Sequence, residues 1–218
     1  MIIPSKNILF IHIPKCAGTF VERNLIENTG KFKFQIKGQE LLSYPKEDGH
    51  VMVGEGKHNC INYYKDNLQL TEFNNLYKFT FIRNPYARLF SLYKYMQSNS
   101  NNVYVCKNNF KQWTNLIIQK INNGEDYSFL TGYSIIMSDY ISYNNNKYNS
   151  MDFVGRVENL EEDFAKVCEL NNLTQKFAEP INPNKKSSNG YRIHYSTELQ
   201  KKCEKIFEKD LNLFDYDF

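Results

Sequence analysis

The stretch NILFIHIPKCAGTFVERNLIEN, Asn7 to Asn28, restricts the possible folds of this chain more than any other. Asn7 to Ile13 form a nearly unbroken apolar run with β-branched residues, which suits a strand covered on both faces. From Gly18 onward, Val21 and Leu25 are four apart with Ile26 beside them, and Gly30 is a natural stop. That spacing predicts a helix over 18–28. A strand that turns through a glycine into a helix gathers backbone N–H groups and the positive end of the helix dipole at one point. Lys15 adds a mobile charge, Thr19 a hydroxyl, and Gly18 room for an anion to approach the backbone. These parts suit a phosphate or sulfate group, although a structural turn with an exposed lysine has the same local sequence. The lysine precedes the glycine, which sets the loop apart from the G-x-x-x-x-G-K-[ST] loop of nucleotide hydrolases.

Further along, strands are expected at His50–Gly56, Leu76–Arg83 and Met151–Glu158. Helical patterns alternate with them. A short helix is expected in NYYKDNLQL, and a longer one starts at Pro85 with Asn84 as its cap. A third lies in NNFKQWTNLIIQKI, and a fourth follows Asn159, with Glu162 completing a capping box. The last starts near Thr197. Alternation of this kind predicts an α/β fold with a central, mainly parallel sheet flanked by helices. No internal repeat or long linker interrupts the chain, so a single domain over 1–218 is expected, with a variable, substrate-facing segment at about 98–150.

Composition narrows the partners. An apolar content of 41% and a charged content of 23% belong to a globular protein. A net charge of +3 without blocks of like charge argues against a dedicated nucleic-acid binder. No apolar stretch approaches the ~18–20 residues of a transmembrane helix, so no membrane span is expected. Cys16, Cys60, Cys106, Cys168 and Cys203 are odd in number and form no Cys-x-x-Cys pair. They predict free thiols rather than a disulfide framework or zinc site, and a cytoplasmic chain, although a lumenal domain of a longer parent would read the same way. No cluster of acids and histidines points to a metal.

Four segments together carry a family resemblance. FIHIPKCAGT resembles the 5′-phosphosulfate-binding loop of sulfotransferases that use 3′-phosphoadenosine 5′-phosphosulfate (PAPS). FTFIRNPYARLFSLY is similar to that family's 3′-phosphate-binding strand and helix, Arg-[Asn/Asp]-Pro-x-x-Arg-x-x-Ser. FVGRVENLEEDF and YSTELQKKCEKIFEKDLNLFDYDF resemble later segments of the carbohydrate (Golgi-type) branch. The likeness runs in order from about Ile8 to Phe218 and is weakest over 98–150. It implies a P-loop-like sulfotransferase fold, PAPS as donor and a carbohydrate hydroxyl as acceptor. One departure is Phe20, where family members commonly carry a second Ser or Thr. A phosphate contact is then missing or replaced by a backbone N–H.

The resemblance also implies roles for residues. Lys15 would neutralise charge on the oxygen bridging sulfur and phosphorus, a task its ammonium suits. Lys15, Cys16, Ala17, Gly18, Thr19 and Phe20 would line the 5′-phosphate. Arg83 and Ser91 would hold the 3′-phosphate, the guanidinium through paired hydrogen bonds. Arg88 matches the motif too, but is read as a brace for its helix. Among the histidines, His12 lies in a buried strand, His50 at the far end of one, and His194 in a polar segment. His58 follows the turn at the sheet edge shared with Lys15 and Arg83, so it is the expected base, with Glu55 in reserve. In INPNKKSSNGYRIHY, the position of a family loop that closes over the nucleotide, Lys185, Lys186, Tyr191 and Arg192 are candidates for phosphate or adenine. Trp113 is expected in the core. Two other classes fit less well: a small kinase using ATP, which lacks its lysine and its acidic pair for magnesium, and a nucleotide-binding module without catalysis.

Overall fold

The computed structural model describes residues 1–3, 6–27, 32–36, 39–43, 58–99, 105, 107–143, 150–174 and 190–218. Its strands are β1 (Ile2–Ile3), β2 (Ile8–Ile11), β3 (Phe32–Ile36), β4 (Gln39–Ser43), β5 (Tyr77–Ile82) and β6 (Phe153–Arg156). The helices are α1 (Gly18–Glu27), α2 (Ile61–Asn67), α3 (Leu70–Asn75), α4 (Pro85–Asn99), α5 (Phe110–Asn122), α6 (Ser128–Thr131), α7 (Ser138–Ile141), α8 (Leu160–Leu170) and α9 (Thr197–Phe214). The chain divides into two compact units: Met1–Ile82 with Asp139–Pro183, and Arg83–Ser138 with Asn184–Phe218.

The first unit is built on a four-stranded sheet of order β1-β2-β5-β6. β2 runs parallel to β5, and β5 parallel to β6, with Ile11 opposite Thr80 and Ile82 opposite Arg156. Parallel neighbours require crossovers, so β2, β5 and β6 all end at the same sheet edge. The apolar run at Ile8–Ile11 is fully buried, as a strand covered on both faces must be.

One face of the sheet is aromatic. Phe10 lies opposite Phe79, and Phe79 opposite Phe153. The rings of Phe10 and Phe79 stack with centroids 5.0 Å apart. Two residues further on, the same pleat carries His12 and Phe81. Helices α1 and α8 bring Phe20 and Phe164 together on this face, 5.7 Å apart, and Phe164 lies 6.5 Å from Phe81. Gly155 is opposite Phe81, and a Cβ there would come within 2.5 Å of the Phe81 ring, so only glycine fits.

Several elements differ from expectation. β1 is a two-residue antiparallel addition beside β2, too short to leave a periodic signal. β3 and β4 pair antiparallel, Phe32 opposite Ser43 and Ile36 opposite Gln39. The alternation Phe32, Phe34, Ile36 is the period-two signal that identifies β3. The strand expected at His50–Gly56 lies outside the described residues. NYYKDNLQL holds parts of two helices, because the chain is extended at Leu68 and Gln69, and Glu72 accepts from the Gln69 N–H. Asn159 and Glu162 form no capping box. A 3-10 turn at Val157–Asn159 precedes α8, and Asp163 accepts the Arg156 N–H at 2.8 Å instead.

The second unit is helical. Leu92 and Tyr93 of α4, Phe110 and Trp113 of α5, and Leu199, Cys203 and Phe207 of α9 form its core. Trp113 is fully buried and donates its Nε1–H to the Leu130 carbonyl at 3.1 Å, which satisfies the one polar atom of its ring. Asn84 caps α4 as expected, its Oδ1 accepting from the N–H groups of Tyr86 and Ala87. Arg88 is 2% exposed and donates to the carbonyls of Ile135 and Ser134 at 2.7 and 2.9 Å. It therefore braces α4 against the segment after α6. Arg88→Met should lower stability by about 3 kcal/mol, the order for two charge-assisted hydrogen bonds. Thermal unfolding would show it as a Tm lower by roughly 6–12 °C, with kcat of the folded fraction unchanged. Among the described residues, no helix is long and apolar enough to cross a membrane.

Candidate active site

The turn between β2 and α1 owes its shape to backbone handedness at two residues that are not glycine. Lys15 has φ +67° and Ala17 φ +58°, while Cys16 and Gly18 keep ordinary negative values. A left-handed residue with a side chain costs about 1–2 kcal/mol, and such strain collects at binding loops. Successive residues of opposite hand turn their N–H groups toward a common concavity, the nest that receives anions. The α1 hydrogen bonds begin with Phe20 and Val21, both donating to the Ala17 carbonyl at 3.0 and 3.2 Å. Gly18 and Thr19 precede the first residue that can reach an intrahelical acceptor, so helix geometry points their N–H groups out of the helix end. Lys15, Ala17 and Thr19 are half-buried, whereas Cys16 and Phe20 are buried. The Phe20 ring belongs to the aromatic face beneath α1.

Beside the anion approach that its sequence context suggests, Gly18 is needed for packing. Its φ is not left-handed. A Cβ at this position would lie 2.0 Å from His12 Nε2, 2.1 Å from Cδ2 and 2.4 Å from Cε1. The imidazole occupies the space that any side chain would take. Gly18→Ala should push the start of α1 off His12, costing about 1–3 kcal/mol of stability, as overpacking does. It should also weaken binding of 3′-phosphoadenosine 5′-phosphate roughly tenfold, about 1.4 kcal/mol. Thermal unfolding and calorimetric titration would check the two effects.

His12 is a buried, satisfied residue, as expected, but it is also tied to the expected base. Its Nδ1 lies 2.7 Å from Glu22 Oε1, and its ring stacks on Phe10. Its backbone carbonyl lies 3.0 Å from His58 Nδ1, and the two rings meet edge to face at 4.4 Å. A carbonyl can only accept, so His58 Nδ1 carries the proton, and in the neutral ring Nε2 is the basic nitrogen. His58 begins the segment leading into α2 and is half-buried. The sequence signal for Glu22 is its place four residues after Gly18, next to Val21 on the inward side of α1. An acid there requires a buried partner.

The remaining expected residues fall in the second unit or outside the described residues. Arg83 is half-buried and is the first residue after β5; Ser91 is half-buried on α4. Arg192 is exposed in a 3-10 turn, Arg192–His194, with its guanidinium 5.6 Å from the Phe218 ring. Tyr191 is buried, and the ring of His194 stacks on Phe90 at 4.1 Å. Glu55, Lys185 and Lys186 lie outside the described residues. Among those described, no group of three or more His, Cys, Asp or Glu side chains is arranged to hold a metal ion.

A mainly parallel sheet whose strand β2 runs through a turn of alternating handedness into a helix is an arrangement suited to phosphate- or sulfate-bearing ligands. A family model described as the Sulfotransferase family matches residues 1–217. The chain belongs to that family and is an enzyme of the sulfuryl-transfer class. No curated protein and no solved structure matched it.

Proposed function

We propose that this enzyme moves a sulfuryl group from PAPS to a hydroxyl of a carbohydrate by in-line displacement. The observation that carries this reading is the strained turn at Lys15–Ala17 running into α1, in a chain of the sulfotransferase family. Lys15, Cys16, Ala17, Gly18, Thr19 and the Phe20 backbone line the 5′-phosphosulfate in this reading. Arg83 and Ser91 receive the 3′-phosphate, and Lys186 and Arg192 close over the nucleotide; these roles rest on the sequence motifs. The family match runs through both compact units, so we take them as one functional domain. The carbohydrate acceptor rests on the resemblance of the later segments, and residues 98–150 are its expected contact. Among the described residues, Cys16, Cys60, Cys168 and Cys203 form no disulfide, which fits a reducing compartment such as the cytoplasm.

In the transfer, His58 Nε2 takes the proton of the acceptor hydroxyl as that oxygen forms its bond to sulfur. The bond from sulfur to the bridging oxygen breaks, and the Lys15 ammonium balances the charge left on the departing phosphate. Loop N–H groups hold the same phosphate throughout. No metal enters the scheme. Positioning and preorganised charge supply the rate, as in phosphoryl transfer.

Thermal shift separates this reading from its rivals. A ligand that binds only the folded state raises Tm. The expected result is stabilisation by 3′-phosphoadenosine 5′-phosphate and none by ATP with magnesium. A preference for ATP would favour a kinase. Donor binding without sulfate transfer to any member of a broad glycan panel would favour a binding module.

A further inference from the structure

Resting on the reading of His58 as base, we propose that Glu22 and His12 form a positioning pair that aims that base and joins it to the donor loop. The pair is buried, with side chains 1% and 5% exposed, and bonded at 2.7 Å. A carboxylate sunk into the sheet-facing side of α1 costs several kcal/mol unless its charge is matched. Packing alone would be served better by an aliphatic residue, as at neighbouring Val21 and Leu25, both fully buried. The costly choice makes sense if the charge has a task.

His12 is a three-way joint. Its Nδ1–H is directed at Glu22, its ring lies under the Gly18 Cα, and its carbonyl fixes the Nδ1–H tautomer of His58. The floor of the anion loop and the aim of the base therefore depend on one residue. Electrostatics add a second effect. With His12 neutral, the pair carries one net negative charge a single imidazole away from His58. An imidazolium forming on His58 is stabilised by that charge. Other ionisable groups stand near the pair. Tyr64 is uncharged at neutral pH, its hydroxyl pushed up first by burial and then by the charges of Tyr63, Glu22 and Cys60. The Met1 amino group donates to the Tyr64 hydroxyl at 3.0 Å, and Lys15 follows in the same loop as His12.

Nitrogen-resolved NMR of the four histidines in the full chain tests this directly, with His58→Ala assigning the His58 signals. The expected wild-type result is a neutral His58 protonated on Nδ1 and a His12 Nδ1 proton protected from exchange. Glu22→Gln, which keeps an acceptor oxygen but removes the charge, should lower the His58 pKa by about half a unit. Binding of 3′-phosphoadenosine 5′-phosphate should change less than twofold. A structural role alone would leave the titration of the folded protein unmoved. An unchanged His58 titration in Glu22→Gln would overturn the proposal. So would a wild-type His58 protonated on Nε2, a result that needs no variant to fold. Full turnover in His58→Ala would instead overturn the assignment of the base, so the two failures are told apart.

Discussion

His58→Ala should bind 3′-phosphoadenosine 5′-phosphate as the parent does and transfer sulfate at least ~10²-fold more slowly, the usual worth of a general base. The split follows from where His58 sits. It meets the loop at the His12 carbonyl and the His12 ring. Removing its ring takes away that hydrogen bond and that ring contact, and the left-handed turn at Lys15–Ala17 is set by its own backbone. Its own chemistry goes entirely, because Nε2 is the nitrogen that the tautomer leaves basic. Calorimetric titration with 3′-phosphoadenosine 5′-phosphate, beside initial rates with PAPS and a glycan panel, would check both halves. Near-normal rates would move the base to Glu55 or elsewhere.

Lys15→Ala should lower kcat by more than ~10²-fold, the order for losing a main electrostatic stabiliser of the transition state. Alanine is the informative substitution. Lys15 is left-handed at φ +67°, and alanine has much the same backbone cost there, so the loop shape is retained and the ammonium alone is lost. Glycine would relax the backbone as well and mix two effects. The donor should bind only modestly less tightly, since the developing charge belongs to the transition state more than to the ground state. Rates limited by kcat rather than by KM for PAPS would confirm that division. A fall in KM-limited rate with kcat intact would make Lys15 a binding residue only.

Much of this arrangement was legible from the residues. The buried run before Lys15, the helix after Gly18, the Asn84 cap and the inward face of α9 each follow from periodicity and capping chemistry. Lys15, Arg83 and Ser91 are named by the family resemblance of their motifs, and their roles stand as proposals. Other parts were not legible. Nothing local marks Lys15 and Ala17 as left-handed, because glycine is the only residue that advertises that conformation. Gly18 reads in the sequence as room for an anion to approach the backbone, and the His12 imidazole, which no local pattern reports, makes a second demand for glycine there. The contact between His12 and His58 spans forty-six positions within the first unit, a separation that no local pattern reports. Glu162 looked like a capping residue because its spacing from Asn159 was right, but a 3-10 turn intervened and Asp163 took the neighbouring role.

The meeting of Gly155 with the Phe81 ring has a consequence for how this chain can vary. The two positions share one volume across neighbouring strands, so neither can grow unless the other shrinks. Sequences that drift away from this one should exchange bulk between them in step, an alanine at the first appearing with an aliphatic side chain at the second.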